Sequence, residues 1–144
     1  MNKVHNILRI KGNAVWSVPS SATALDAVKL MAEKNIGGVL VIDDGTLVGI
    51  FTERDFANKI GCFEKSPQEI KLSEVMTPNP ITVTPDNSIN DCMALMTDRH
   101  IRHLPVMEDG KLVGVISIGD VVKDLIEELQ FMVTQLEKYI TGRR

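Results

Sequence analysis

Two short patterns set a hydroxyl three residues ahead of a carboxylate: Thr52-Glu53-Arg54-Asp55 and Ser117-Ile118-Gly119-Asp120. A Thr or Ser hydroxyl can hydrogen-bond a phosphate oxygen. One Asp carboxylate, with two oxygens, can accept from both hydroxyls of a ribose. Each pattern stands where an apolar run hands over to a helical one, and a helix start offers unpaired N–H groups and a positive dipole end to an anion. Arg54 adds a guanidinium able to pair with phosphate. Gly119 holds the matching place in the second pattern, so positive charge there must come from elsewhere, with Arg102 and Arg99 as candidates. The first pattern is therefore the better suited to a di- or triphosphate. The same spacing is also a helix cap that needs no ligand; its recurrence at one register favours the binding role.

The elements that position the two patterns are duplicated. Residues 18–55 align with 83–120 without a gap: Val18 with Val83, Asp26 with Asp91, Leu30-Met31 with Leu95-Met96, Ile36 with Ile101, Val41 with Val106, Gly45, Leu47, Val48 and Gly49 with Gly110, Leu112, Val113 and Gly114, and Asp55 with Asp120. So long a run of identities at one shift marks an internal repeat. Each copy opens on an extended piece, 15–18 or 80–84, followed by a helix over 22–35 or 87–100, where apolar residues fall on one face and Thr23 or Ser88 stands near the start as a cap. Strands over 39–42 and 47–51, and again over 104–107 and 112–116, are joined through Asp44-Gly45 and Asp109-Gly110, a hairpin signal. A second helix starts near Asp55 and near Asp120. The fold class expected is α+β, with the order β-α-β-β-α twice. Chain order divides it into 1–62, a first repeat with the N-terminal segment; 63–127, a linker with a short helical stretch around 67–76 and the second repeat; and 128–144, the end of a long helix. That helix carries apolar residues at spacings of three and four from Val122 to Ile140 and closes at Gly142.

The bulk properties exclude several classes. The chain has 144 residues, 44% hydrophobic and 24% charged, with a formal charge of −3. No cluster of Lys and Arg fits a nucleic acid. No run reaches transmembrane length, and the N-terminus lacks the apolar core of a secretory signal, so a cytoplasmic protein is expected. Cys62 and Cys92 form no CxxC and read as reduced thiols, with a disulfide between them left open. His100 and His103, spaced by three, have no further ligand set to make a metal site, and His103 reads instead as a polar, ligand-touching residue.

The stretches GGVLVIDDGTLVGIFTERDF, VMTPNPITVTPDNSI and HIRHLPVMEDGKLVGVISIGDVV resemble the CBS domain pair, or Bateman module, over about 10–127. The tail LQFMVTQLEKYITG is similar to that of small stand-alone bacterial CBS-pair proteins. The resemblance implies two repeats related by a pseudo-two-fold axis, with clefts between them that take AMP, ADP, ATP, NAD or S-adenosylmethionine in different members, and commonly a homodimer. It implies an adenine slot at Val15 and Trp16 with Gly37 and Gly38, and a second at Ile81 and Thr82 with His103, Leu104 and Pro105. Thr77 is placed along a cleft. The phosphate and ribose contacts fall to Thr52, Arg54, Asp55, Arg102, Ser117, Ile118 and Asp120. Gly37 and Gly38 either let a base approach the backbone or only end the helix. The function expected is a regulatory adenosine-nucleotide sensor read by an unidentified downstream protein. It carries no catalytic residue, catalytic cofactor or metal, and involves no nucleic acid or membrane. The alternatives are a structural dimerisation module and an enzyme acting on a nucleotide.

Overall fold

The computed structural model describes residues 2–61 and 65–142; Cys62 lies outside them. The chain forms two compact units, Ala14–Ile81 and Met1–Asn13 joined with Thr82–Arg144. The fold is mixed α+β, with both repeats and a long C-terminal helix as the sequence predicts.

In the unit Ala14–Ile81, β1 (Ser17–Val18) pairs parallel with β2 (Gly38–Asp43), and β2 pairs antiparallel with β3 (Thr46–Thr52). Across the β2–β3 turn Asp44 and Gly45 both have positive φ, 49° and 78°, the requirement of a type I′ hairpin that the Asp-Gly step announces. Helix α2 (Ala24–Lys34) starts on Thr23, whose hydroxyl accepts from the Asp26 N–H while the Asp26 carboxylate accepts from the Thr23 N–H. It ends on Asn35 in the left-handed conformation. Termination thus falls to Asn35, two residues before the glycines, and neither Gly37 nor Gly38 has positive φ. Short helix α3 (Glu53–Asp55) leads into a π-helical stretch, Phe56–Ile60. The expected 67–76 helix divides into a 3-10 turn, Pro67–Glu69, and α4 (Leu72–Val75); strand β4 (Thr77–Pro78) then joins β3. The core gathers Met31, Val39, Val41, Phe51, Ile70 and Leu72.

The other unit repeats this plan in α5 (Ile89–Arg99), β5 (His103–Glu108), β6 (Lys111–Ser117) and α6 (Ile118–Thr141). His100 ends α5 in the left-handed conformation, as Asn35 ends α2. One difference has a covalent cause. In the first repeat the Leu40 N–H donates to the Trp16 carbonyl at 3.1 Å. Pro105 holds Leu40's place and has no N–H, so the predicted 80–84 strand shrinks to a bridge at Val83.

The first N–H of α2 and of its counterpart in the other unit finds its acceptor outside the contiguous repeat. Ala24 N–H donates to Ile70 O, Leu72 N–H to Ala22 O and Ser73 N–H to Ser20 O, at 2.8–3.1 Å. In the other unit Ile89 N–H donates to Asn2 O, Val4 N–H to Asn87 O and His5 N–H to Pro85 O, at 2.9–3.1 Å. The N-terminal helix α1 (Val4–Lys11) therefore does for the second repeat what Leu72–Val75 does for the first, although chain order groups it with the first. No helix among the described residues is long and apolar enough to cross a membrane.

A Cβ on Gly114 would stand 2.8 Å from Leu8 Cδ2, and one on Gly49 would stand 2.6 Å from Met76 Sδ. Gly114→Ala is expected to lower stability by about 1–3 kcal/mol through overpacking. Most of that cost should vanish in a Leu8→Ala background, a coupling that a double-mutant cycle in urea measures.

Candidate functional site

Both hydroxyl–carboxylate patterns stand at strand ends and close on themselves. At the β3–α3 junction the Thr52 N–H donates to Asp55 Oδ2 at 3.0 Å and the Asp55 N–H donates to Thr52 Oγ1 at 3.2 Å. At the β6–α6 junction the Ser117 N–H donates to Asp120 Oδ2 at 2.8 Å and the Asp120 N–H donates to Ser117 Oγ at 3.2 Å. These are reciprocal capping boxes. The first helical N–H is also engaged: Glu53 N–H donates to Gly37 O at 3.0 Å, and Ile118 N–H to Arg102 O at 2.8 Å. The helix starts thus offer an anion fewer free donors than the sequence pattern implies, and Gly37 and Arg102 reach their junctions through main-chain carbonyls.

The two carboxylates differ in what surrounds them. Asp55 Oδ1 accepts from Thr77 Oγ1 at 3.1 Å and lies 3.2 Å from Lys59 Nζ. The Lys59 ammonium also donates to Val75 O at 2.9 Å. Both Asp55 oxygens are therefore occupied. Asp120 Oδ2 takes Lys11 Nζ at 2.6 Å, and the same ammonium donates to Val115 O at 2.9 Å. The hydrogen bonds that Asp120 accepts from Lys11 and Ser117 both fall on Oδ2. Burial opposes the Asp120 charge, but the Lys11 ammonium and the Ser117 N–H outweigh it and hold the carboxyl below its usual range.

Sequence reasoning missed both lysines. Lys59 was legible as the i,i+4 partner of Asp55. Lys11 was not, because only the docking of α1 on β6 brings it to Asp120. It brings a positive charge to Asp120, while Arg102 and Arg99, the candidates that the sequence offers, are both exposed. Arg54 is likewise exposed, on α3 beside Asp55. Val15 is half-buried and Trp16 is 41% exposed, with Lys34 Nζ 4.3 Å from its ring centroid. Gly37 stands just ahead of β2 and Gly38 opens it, beside the β3–α3 junction that the Gly37 carbonyl contacts. Ile81 is half-buried and Thr82 exposed, just ahead of Val83. His103 pairs in register with Ser117. The Leu104 side chain is fully buried in its unit's core, and Pro105 is buried beside it in β5. Ile118 is 37% exposed at the start of α6. Among the described residues no three His, Cys, Asp or Glu are grouped to hold a metal. Cys92 is a free thiol, pushed up to about 11 by burial, with the Asp91 charge adding to the shift.

The duplicated hairpins and strand–helix junctions match the family model described as the CBS domain twice, over residues 10–61 and 72–127. The chain belongs to the CBS domain family. It is 36% identical to the mitochondrial CBS domain-containing protein CBSX3 of Arabidopsis thaliana, over 96% of this chain and 72% of the relative. Other curated relatives from that plant are longer, and the chain spans 23% of their length. Among solved structures, a protein with CBS domains from Burkholderia ambifaria MC40-6 is 44% identical with a TM-score of 0.85, covering 88% of this chain and 95% of that one. The structure of CBSX2 in complex with AMP is 27% identical with a TM-score of 0.71, covering 88% and 98%.

Lys11→Met should move the Asp120 carboxyl upward in an NMR titration. The sign follows from linkage: a depressed carboxyl contributes stability above its unfolded value, near 3.8, and loses it as pH falls through the lower folded value. Wild type is expected to lose this increment below about pH 4, and Lys11→Met to show a smaller loss across the same window.

Proposed function

We propose that this CBS pair is a regulatory sensor of adenosine nucleotides of the AMP, ADP, ATP or NAD type, with S-adenosylmethionine a further member of the ligand class. The observation that carries this reading is the same hydroxyl–carboxylate pair at the same strand–helix junction of both repeats. The AMP complex of CBSX2 supports the ligand class. At the second junction Asp120 Oδ1 and the Ser117 hydroxyl would take a ribose and a phosphate. At the first junction a ribose would take Asp55 from Thr77 and Lys59, releasing an ammonium that then pairs with phosphate alongside Arg54. Trp16 and Val15, near Gly37 and Gly38, supply the apolar surface for a base at the first site. Ile81 and Thr82 with His103 serve the second, where Leu104 and Pro105 contribute main chain only.

In this reading the chain acts as a homodimer and catalyses nothing; bound nucleotide shifts its conformational balance and a downstream protein reads the shift. The free, buried Cys92 suits a reducing compartment, and the cytoplasm is the location the reading carries. The capping boxes favour one competitor, a structural module in which both aspartates serve only the helices.

A thermal-shift and calorimetry panel of AMP, ADP, ATP, NAD, NADH, S-adenosylmethionine and GTP separates the two. A ligand at 100 times its Kd adds about 2.7 kcal/mol to native stability, and adenine nucleotides are expected to outrank the guanine one. Asp55→Ala and Asp120→Ala should each remove one site while costing about 0.5–2 kcal/mol as lost caps. Absence of heat and protection from every adenosine ligand at millimolar concentration sinks the sensor reading. Unchanged affinity in both variants reduces the aspartates to caps.

A further inference from the structure

From 129 to 142 every described position of the C-terminal helix is exposed. An isolated helix of that length is marginal in water, so something must cover it. Its first half rests on its own unit through Val121 and Asp124, which are buried. A second stripe points elsewhere: Val122, Ile126, Leu129, Val133, Leu136 and Ile140 alternate by four and three and run from 40% to 80% exposed. Written as heptads, Ile126, Val133 and Ile140 hold one core position and Val122, Leu129 and Leu136 the other, the composition of a two-stranded seam.

We propose that α6 pairs antiparallel with α6 of a second copy, centred near Phe131. This rests on the homodimer reading above and gives it a geometry. In that register Ile126 faces Leu136, Val133 faces Leu129 and Ile140 faces Val122, over about 27 Å of helix. One flank of the stripe carries Lys123, Gln130 and Glu137. Antiparallel pairing sets Lys123 against Glu137 of the second copy, twice by symmetry, and Gln130 against its own counterpart. The other flank, Leu125, Met132 and Tyr139, is apolar and meets itself. Parallel pairing would set Lys123 and Glu137 opposite that apolar flank with no partner. It would also stack the acidic first halves, with Asp120, Asp124, Glu127 and Glu128, upon each other. The helix carries five acidic and two basic residues between Ile118 and Thr141, the wrong balance for an anionic lipid surface.

Sedimentation equilibrium on the full chain tests this. Leu129→Asn, at a site exposed in its own chain, should raise the dimer dissociation constant about 100-fold with an unchanged circular dichroism spectrum. Lys123→Glu and Glu137→Lys should each raise it roughly tenfold, and the double swap should return to within about threefold of wild type. In a parallel pair these positions lie about 21 Å apart along the axis and their effects would simply multiply. A monomeric wild type overturns both this inference and the homodimer reading. A dimer unmoved by Leu129→Asn, or a double swap without rescue, overturns this inference alone. So does a monomer whose helix binds vesicles of anionic lipid.

Discussion

Buried main-chain groups at a helix start must find partners, and that constraint organises both halves of the molecule. The leading N–H groups of Ala24 and Ile89 have no intrahelical acceptor. Each finds one in a segment from outside its contiguous repeat, the carbonyl of Ile70 or of Asn2. Returning bonds from Leu72 and Val4 hold a short helix against each unit, and Val4, Leu72 and Val75 are part of the core. Gly49 and Gly114 complete the fit, since a side chain at either place would meet Met76 or Leu8.

The same docking reaches the candidate site. Lys11 lies at the end of α1, and the packing of that helix on β6 carries its ammonium to Asp120 and Val115. In the other unit the segment leading into β4 brings Thr77 to Asp55, while Lys59 arrives from the stretch after α3. Each aspartate is thereby tied to a lysine, but through different elements. The two copies of the duplication differ in what surrounds this carboxylate.

The fold was legible where local chemistry decides it. The repeat identities, the Asp-Gly turns and the Thr23 and Ser88 caps placed the hairpins and helices within a residue or two. The elements that depend on long-range partners were not legible. Nothing in Val4–Lys11 marks it as the helix that docks on residues some eighty positions later. Pro105 alone explained the lost strand at 80–84, but only once the Trp16–Leu40 bond of the other repeat was seen. The two hydroxyl–carboxylate patterns do stand where a strand hands over to a helix. That their carboxylates already hold lysines depends on packing that no spacing rule carries.

The way α1 crosses to the second repeat makes the two halves unequal as pieces of chain. Residues 14–81 contain everything their unit uses, in one uninterrupted stretch. The other unit joins two separate segments, 1–13 and 82–144, so a polypeptide cut near 81 would yield one fragment holding the whole of its unit and one lacking its docking helix. In the language of chain connectivity, the second repeat is a split domain closed by non-covalent complementation. Its two segments are held apart in the chain by the whole length of the other unit.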